Sequence, residues 1–232
     1  MPIGIMIDSI AIASGACIGA ALSKVFPQRL AKSLSQLFAL SAMAIGITLI
    51  VDYQQLSAVI LSLILGTAIG EAFNLNHRVK GISAKVDACF KRRFGNGPVD
   101  ICIFINLVVM AACSGYGLFG ALNEGLSANH APLIAKAVLD FFTFFCFATT
   151  HGAVLSLICI PQFVIYFCIY LLAGFLSPFL DPVAMGDLSA CAGVITMATG
   201  INLLWDLDIP LISMLPAFLL SVPFSNLFAM LL

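Results

Sequence analysis

Met43–Asp52 reads MAIGITLIVD, and a second stretch, Met197–Asp206, reads MATGINLLWD. The two stretches share Met, Ala, Gly, Ile, Leu and Asp in the same order. An offset of 154 residues relates them, and it also aligns Leu22-Ser23 with Leu176-Ser177. Similarity at a fixed offset indicates a duplicated structural unit, so the first and last thirds of the chain are predicted to share one architecture.

The composition around both stretches is that of a membrane protein. The chain has 232 residues, of which 62% are hydrophobic and 9% are charged, whereas an average globular chain is about 25% charged. So few charges cannot cover the surface of a water-soluble fold of this length, and the chain is predicted to lie in a lipid bilayer. The net charge of −1 excludes the basic surface that nucleic-acid binding needs.

The apolar runs have the length of transmembrane helices. A hydrocarbon core of about 30 Å needs roughly 20 helical residues, and the chain divides at that scale into about eight spans of an all-α polytopic helical bundle, a single transmembrane domain over 1–232. The predicted spans are 4–23, 34–51, 55–74, 100–120, 133–151, 154–176, 188–205 and 210–231. The glycine-rich stretch 114–132 is either a helix end or a re-entrant segment.

The basic residues predict the orientation. All but one of them follow the first or the third span, and Lys and Arg near span ends stay on the cytoplasmic side. Both termini are therefore predicted outside a bacterial cytoplasmic (inner) membrane, with 76–99 as a basic cytoplasmic loop that enforces topology and contacts anionic lipid head groups. The basic residues concerned are Lys24, Arg29, Lys32, Arg78, Lys80, Lys85, Lys91, Arg92 and Arg93.

This orientation turns the duplication into an inverted repeat. The second span crosses from inside to outside and the seventh from outside to inside, so the first repeat, 4–75, and the second repeat, 154–231, have opposite topology. They flank central charged spans at 100–153. Inverted repeats build many secondary transporters, in which one unit moves against the other around a site near the midplane. A duplicated bundle without transport activity is the alternative.

The fifth predicted span carries the densest set of polar side chains. Lys136 and Asp140 are four residues apart on a helix and can neutralise each other, and Thr143 follows at helical spacing. Ionisable groups inside a membrane mark functional sites by default, so this stripe is predicted to bind substrate or to exchange a proton. A salt bridge that only fixes the rotation of the helix is the competing interpretation. Glu124 is predicted to extend the site, and the glycines of 115–120 to give backbone access.

Three further polar residues stand in apolar context. Asp8 is about one helical turn from the predicted start of the first span, which suggests an interfacial position. Glu71 is predicted to be exposed at the cytoplasmic interface. Asn202, with Thr196 and Thr199, gives the seventh span a polar face that suits hydrogen bonds between helices, and Asn202 is also a candidate for binding substrate or a proton.

Two GxxxG pairs, Gly15 with Gly19 and Gly66 with Gly70, predict close helix packing. The packing occurs either within one chain or at a dimer interface, and a homo-oligomer, most simply a dimer, is expected.

The sequence lacks the common motifs of hydrolytic enzymes, nucleotide binding and zinc binding. There is no G-x-S-x-G, H-E-x-x-H or P-loop, and three scattered histidines do not suggest a zinc site. No enzyme activity, cofactor or metal site is predicted. The leading hypothesis is a secondary transporter or channel-like permease for a small solute or ion. A non-transporting membrane scaffold is the alternative, and an intramembrane enzyme is a third class that no residue supports.

Four short motifs carry a resemblance to a known family. Gly66–Glu71 (GTAIGE), Phe119–Leu126 (FGALNEGL), Ala135–Asp140 (AKAVLD) and Leu215-Pro216-Ala217 together resemble the bacterial DUF554 family over essentially the whole chain. The sequence has Asp8 where that family usually has Asn. The resemblance implies a membrane protein with several spans and of unassigned function. It supplies no chemistry, so the transport hypothesis rests on the repeat and the buried charges.

Overall fold

The computed structural model describes residues 1–79, 101–205, 207 and 209–231, and the described residues contain helices and no β-strand. Most of the predicted basic loop 76–99 lies outside them. The α-helices are α1 (Ile3–Ala21), α2 (Gln28–Val51), α3 (Leu56–Ala72), α4 (Ile101–Ala112), α5 (Gly115–Ser127), α6 (Ala131–His151), α7 (Cys159–Leu176), α8 (Pro182–Trp205) and α9 (Leu211–Leu231). A short 3-10 helix, Ala153–Ile158, precedes α7.

The all-helical membrane architecture is confirmed. Within the described residues, six helices are long and apolar enough to cross a membrane, or seven if the bent pair α4 and α5 counts as one span. The prediction was about eight spans. The difference is α3, an apolar helix of 17 residues, which is short for a hydrocarbon core that takes roughly 20 residues.

Helices α2 and α8 both begin six residues before their predicted spans, at Gln28 and Pro182. Hydropathy marks only the apolar part of a helix, whereas backbone hydrogen bonding continues through polar first turns. Arg29 and Lys32, predicted to lie in a loop, are therefore in the first turns of α2.

The predicted fourth span is broken. Helices α4 and α5 meet at Cys113 and Ser114 with a bend of 45°, and Ser114 has extended backbone angles. The stretch 114–132 thus contains a second helix, α5, which ends at Ser127 and is followed by Ala128 in the left-handed conformation.

Both glycine pairs are packed within the chain. A Cβ on Gly15 or Gly19 would lie 2.3 Å or 2.1 Å from the carbonyl oxygens of Phe141 or Phe145, so α1 runs parallel to α6 at close range. Gly66 and Gly70 face Ala217 and Ser213 in the same way, on an antiparallel α9. Glycine allows this approach because it has no side chain to separate the backbones. These two faces are occupied and cannot form a dimer interface.

Among the six candidate spans of the described residues, α8 is the most enclosed, with 61% of its apolar window buried. It crosses α2 antiparallel, with Gly46 against Gly193 and Gly200 against Ala39. Large apolar side chains on the outer faces of α1, α2, α3, α7 and α9 are exposed, as expected for surfaces that contact lipid. The interior combines small residues at the helix crossings with larger apolar side chains, and it contains few charged groups among the described residues.

Candidate functional site

Lys136 lies at the centre of a buried charged cluster, formed by Asp8 of α1 and Lys136 and Asp140 of α6. Lys136 is 2% exposed. Its Nζ donates a hydrogen bond to Asp140 Oδ2, one helical turn away, and lies 3.3 Å from Asp8 Oδ2. The structure thus brings Lys136 and Asp140 together and adds a second carboxylate to them.

Asp8 is fully enclosed by the protein. It is 0% exposed, and Gln162 of α7 donates from Nε2 to its Oδ2. Its position in the sequence did not predict this burial, because the burial depends on the helices that pack on α1. In the structure, Leu133 and Glu124 pack against Gly4 and cover the first turn of α1. Glu71 is exposed, as expected.

Two residues of α7 were missed by sequence reasoning, Gln162 and Tyr166. The Tyr166 ring centroid lies 5.4 Å from Lys136 Nζ, a distance that suits a cation–π contact. Its hydroxyl donates 2.7 Å to the carbonyl of Ala111, in the last turn of α4. The repeat offset itself could have found Gln162, because that offset aligns it with Asp8.

The break between α4 and α5 lies beside this cluster. The backbone N–H of Tyr116, in the first turn of α5, donates 2.7 Å to Thr196 Oγ1, and Thr196 donates back to Ala192 of its own helix. Gly117 lies against two side chains of this site. A Cβ at position 117 would be 1.8 Å from the Tyr166 hydroxyl and 2.7 Å from Lys136 Cε. Only hydrogen fits at that position.

A small cavity of about 40 Å³ adjoins the cluster, enough room for about one water molecule at roughly 30 Å³ each. Asp140 and Thr143 reach it from α6, and Thr196 and Thr199 from α8. The Thr143 hydroxyl donates to Leu139 of its own helix. The cavity therefore joins the charged cluster to hydroxyl groups and to the start of a broken helix.

Glu124 lies apart from Lys136 and has a different role. Its carboxylate accepts the N–H groups of Gly4 at 2.6 Å and Ile5 at 3.1 Å, and His130 Nδ1 lies 2.5 Å from it. A carboxylate at a helix N-terminus satisfies free backbone donors and the positive end of the helix dipole. Glu124 thus caps α1 about one turn from Asp8 and does not extend the cluster.

Asn202 is also outside the cluster. Its amide pairs with the backbone of Ile209 in both directions, each at 3.0 Å. It lies on the wall of a separate groove of about 610 Å³ between α4, α8 and α9. The polar face predicted on α8 therefore has two parts. Thr196 and Thr199 line the small cavity, whereas Asn202 is hydrogen-bonded to Ile209, just before α9.

One further buried acid, Asp187 of α8, has a capping role like that of Glu124. Its oxygens accept the N–H groups of Gln54 at 2.9 Å and Gln55 at 2.7 Å, and the Ser225 hydroxyl at 2.6 Å. These contacts hold the start of α3 against α8 and α9.

Across the described parts of the chain, no group of three or more His, Cys, Asp or Glu side chains could hold a metal ion.

The fold and the cluster together define a polytopic helical membrane protein with a buried cluster of two carboxyl groups and a lysine. The statistical model of the family described as "Protein of unknown function (DUF554)" matches residues 3–226, and the chain belongs to that family. It is 36% identical over 227 residues to the Uncharacterized protein YqgA of Escherichia coli (strain K12), covering 97% of each chain. It is 22% identical to the Uncharacterized membrane protein YdfK of Bacillus subtilis (strain 168), over 94% of this chain and 93% of the relative. No solved structure matches the chain significantly.

Proposed function

We propose that the chain is a secondary transporter or channel-like permease that moves a small solute or ion across the bacterial cytoplasmic membrane. The observation that carries the proposal is the buried cluster of Asp8, Lys136 and Asp140 beside a broken helix. Buried charges are costly in a membrane and mark ion or substrate pathways. Broken helices supply free backbone groups at such sites in secondary transporters.

Helix bounds support an inverted repeat. Helices α2 and α8 each have 24 residues, and both their first and last residues differ by the repeat offset of 154. Their contacts follow the same rule. Gly46 meets Gly193 and Met197, and Gly200 meets Ala39 and Met43, which are the equivalent residues. This is the pattern of a two-fold axis between two antiparallel helices.

Asp8 and Gln162 are equivalent residues under this offset, and they are hydrogen-bonded to each other. An axis that relates the repeats passes between two equivalent residues in contact. If the axis lies in the membrane plane, as it does for repeats of opposite topology, the charged cluster lies near the bilayer midplane. A central site of this kind is what alternating access requires.

The size of the cavity favours a small substrate. At about 40 Å³ it suits a single small ion, and any larger solute needs the bundle to open. We infer that the structure corresponds to a closed state. We also propose, from the distribution of basic residues, that both termini are outside. A homodimer remains a prediction, and its interface needs a face other than the two glycine pairs.

A ligand screen tests this function. Purified protein in detergent is heated with amino acids, organic acids, nucleosides, or salts of monovalent and divalent cations, and the apparent stability is compared. A ligand at about 100 times its dissociation constant adds about 2.7 kcal/mol to the native state. The proposal expects a hit that Asp140→Asn abolishes and Glu71→Gln, an exposed carboxylate, retains.

A transport assay in proteoliposomes completes the test. It measures uptake of the ligand that stabilised the protein in the screen. Uptake by the wild type and its loss in Asp140→Asn support transport. The scaffold alternative expects no ligand and no flux, together with a strong loss of stability in Asp140→Asn, because the cluster ties α1, α6 and α7 together. That combination of results would overturn the proposal.

A further inference from the structure

We propose that Asp8 carries a proton in the state that the structure describes, so that a neutral Asp8 pairs with Gln162 and an ionised Lys136 pairs with Asp140. The assignment deepens the proposed function, and its meaning for transport rests on that function. The presence of the proton does not, and it can be tested without any substrate.

Charge balance is the first argument. Fully ionised, Asp8, Lys136 and Asp140 would sum to one negative charge, and Asp8 and Lys136 are 0% and 2% exposed. An uncompensated charge at this depth is expensive, and a buried group usually becomes neutral instead. One proton on one carboxylate removes the excess.

Two unpartnered atoms indicate which carboxylate holds it. Among the described residues, Asp8 Oδ1 and Gln162 Oε1 are both buried without a hydrogen-bond partner. They belong to two side chains already joined by the bond from Gln162 Nε2 to Asp8 Oδ2. A proton on Asp8 Oδ1, donated to Gln162 Oε1, completes the two-bond pairing of a carboxylic acid with a carboxamide. One hydrogen thereby satisfies both atoms, which is how buried polar groups are normally found.

The distances to Lys136 agree with this assignment. Its Nζ is hydrogen-bonded closely to Asp140 and is farther from Asp8, at 3.3 Å. A neutral Asp8 leaves the ionised Asp140 as the stronger partner of Lys136, which agrees with these distances.

The other titratable groups around Asp8 do not change the net charge of the cluster. From α6 it faces Lys136 and Asp140, and from α7 Tyr166, whose hydroxyl donates to Ala111. From the end of α5, Glu124 approaches only the first turn of α1, where two backbone N–H groups and His130 satisfy it. The 3-10 helix Ala153–Ile158, also packed on α1, has no titratable side chain.

This assignment implies a simple exchange. When the proton leaves Oδ1, Asp8 becomes an anion and attracts the Lys136 ammonium, which releases Asp140 toward the small cavity. The site then regains one negative charge, and a monovalent cation in the cavity neutralises it. One proton is thus replaced by one cation, and the substrate class that fits the site is a small monovalent cation.

Infrared spectroscopy of the full-length protein in lipid, near neutral pH, detects the proton directly through the carbonyl stretch of a protonated carboxyl group, which shifts in D2O. The wild type is expected to have one such band and Asp8→Asn to lack it. Lys136→Met, which leaves two carboxylates without a cation, is expected to have about twice the band area. Asp187→Asn is the matched control and is expected to keep the wild-type band, because Asp187 is buried outside the cluster, where its oxygens accept three hydrogen bonds.

Thermal unfolding checks that each variant is folded, and Asp8→Asn is expected to fold because asparagine has the shape of the neutral acid. Absence of the band in the wild type, or an equal band in Asp8→Asn, would overturn the assignment. A separate assay follows the pH inside proteoliposomes under inward NaCl or KCl gradients. Cation-driven proton efflux that Asp8→Asn abolishes supports exchange, whereas the band without any flux supports the proton and contradicts the transport function.

Discussion

Gly117 is the residue on which the geometry of the cluster depends most directly. Tyr166 and Lys136 both occupy the space where its side chain would be, and Tyr166 is 0% exposed, so neither neighbour can swing into solvent. The observed positions of Tyr166 and Lys136 therefore require a glycine at position 117.

Gly117→Ala is expected to lower the free energy of unfolding by about 1–3 kcal/mol, the usual cost of overpacking a core. Gly174→Ala is the matched control, because nothing lies within 4 Å of a Cβ there and alanine favours a helix over glycine by about 1 kcal/mol. Thermal unfolding in detergent measures both. Equal stability of the two variants would contradict the packing described at Gly117.

At this scale the sequence predicted part of the site. Lys136 and Asp140 could be paired from their spacing, because the geometry of one helix determines their distance. Asp8 and Tyr166 could not be placed, since their contacts depend on how α1 and α7 pack against α6. Glu124 was assigned to the wrong neighbours because closeness in sequence to α6 says nothing about which helix end a carboxylate meets.

At the scale of helices, close backbone contact joins α1 to α6 and α3 to α9. Each contact places a glycine directly over a carbonyl or Cα of the partner. Hydropathy predicted where most of these helices lie, but it could not predict where α2 and α8 begin or which helix partners each glycine pair. The first depends on polar turns that hydropathy ignores, and the second on tertiary packing.

Gly19→Ala is expected to destabilise the protein by more than about 1 kcal/mol, because its Cβ would lie 2.1 Å from the Phe145 carbonyl oxygen and α1 would have to move away. Ile18→Ala, on the exposed side of the same helix, is expected to have a small effect. Light scattering after size exclusion should give the same molar mass for wild type and both variants. A change of oligomeric state in Gly19→Ala alone would show that this face joins two chains.

At the scale of the whole molecule, the proposed two-fold relation requires equivalent residues to lie on opposite sides of the membrane. Val51 and Trp205 are such a pair, at the ends of α2 and α8, and they are 69% and 58% exposed.

Single cysteines at Val51 and Trp205, in a background without the native cysteines, make this relation measurable. A membrane-impermeant maleimide is expected to label Val51→Cys in intact cells, and Trp205→Cys only in inverted vesicles. Labelling of both from the same side would contradict opposite topology of the repeats, and a reversed pattern would contradict the predicted orientation alone.

The overall class of the molecule followed from composition, because few charges in a long apolar chain allow only a membrane fold. The predicted number of spans is not confirmed, since α4 and α5 are bent by 45° at Cys113 and Ser114 and α3 has only 17 residues. The proposed repeat has a sequence signal that includes Gly46 and Gly200, where close packing restricts the residue type.

The helix pairing also bears on how the chain is made. Helices α1, α2 and α3 have their main partners in α6, α8 and α9, each more than a hundred residues later in the chain. At roughly 5–20 residues per second of synthesis, the first three helices wait on the order of 10 s in the membrane before those partners emerge from the ribosome. During that interval their glycine faces are uncovered and Asp8 lacks both Lys136 and Gln162. The nascent chain is therefore most exposed to membrane proteases and chaperones before α6 has been inserted.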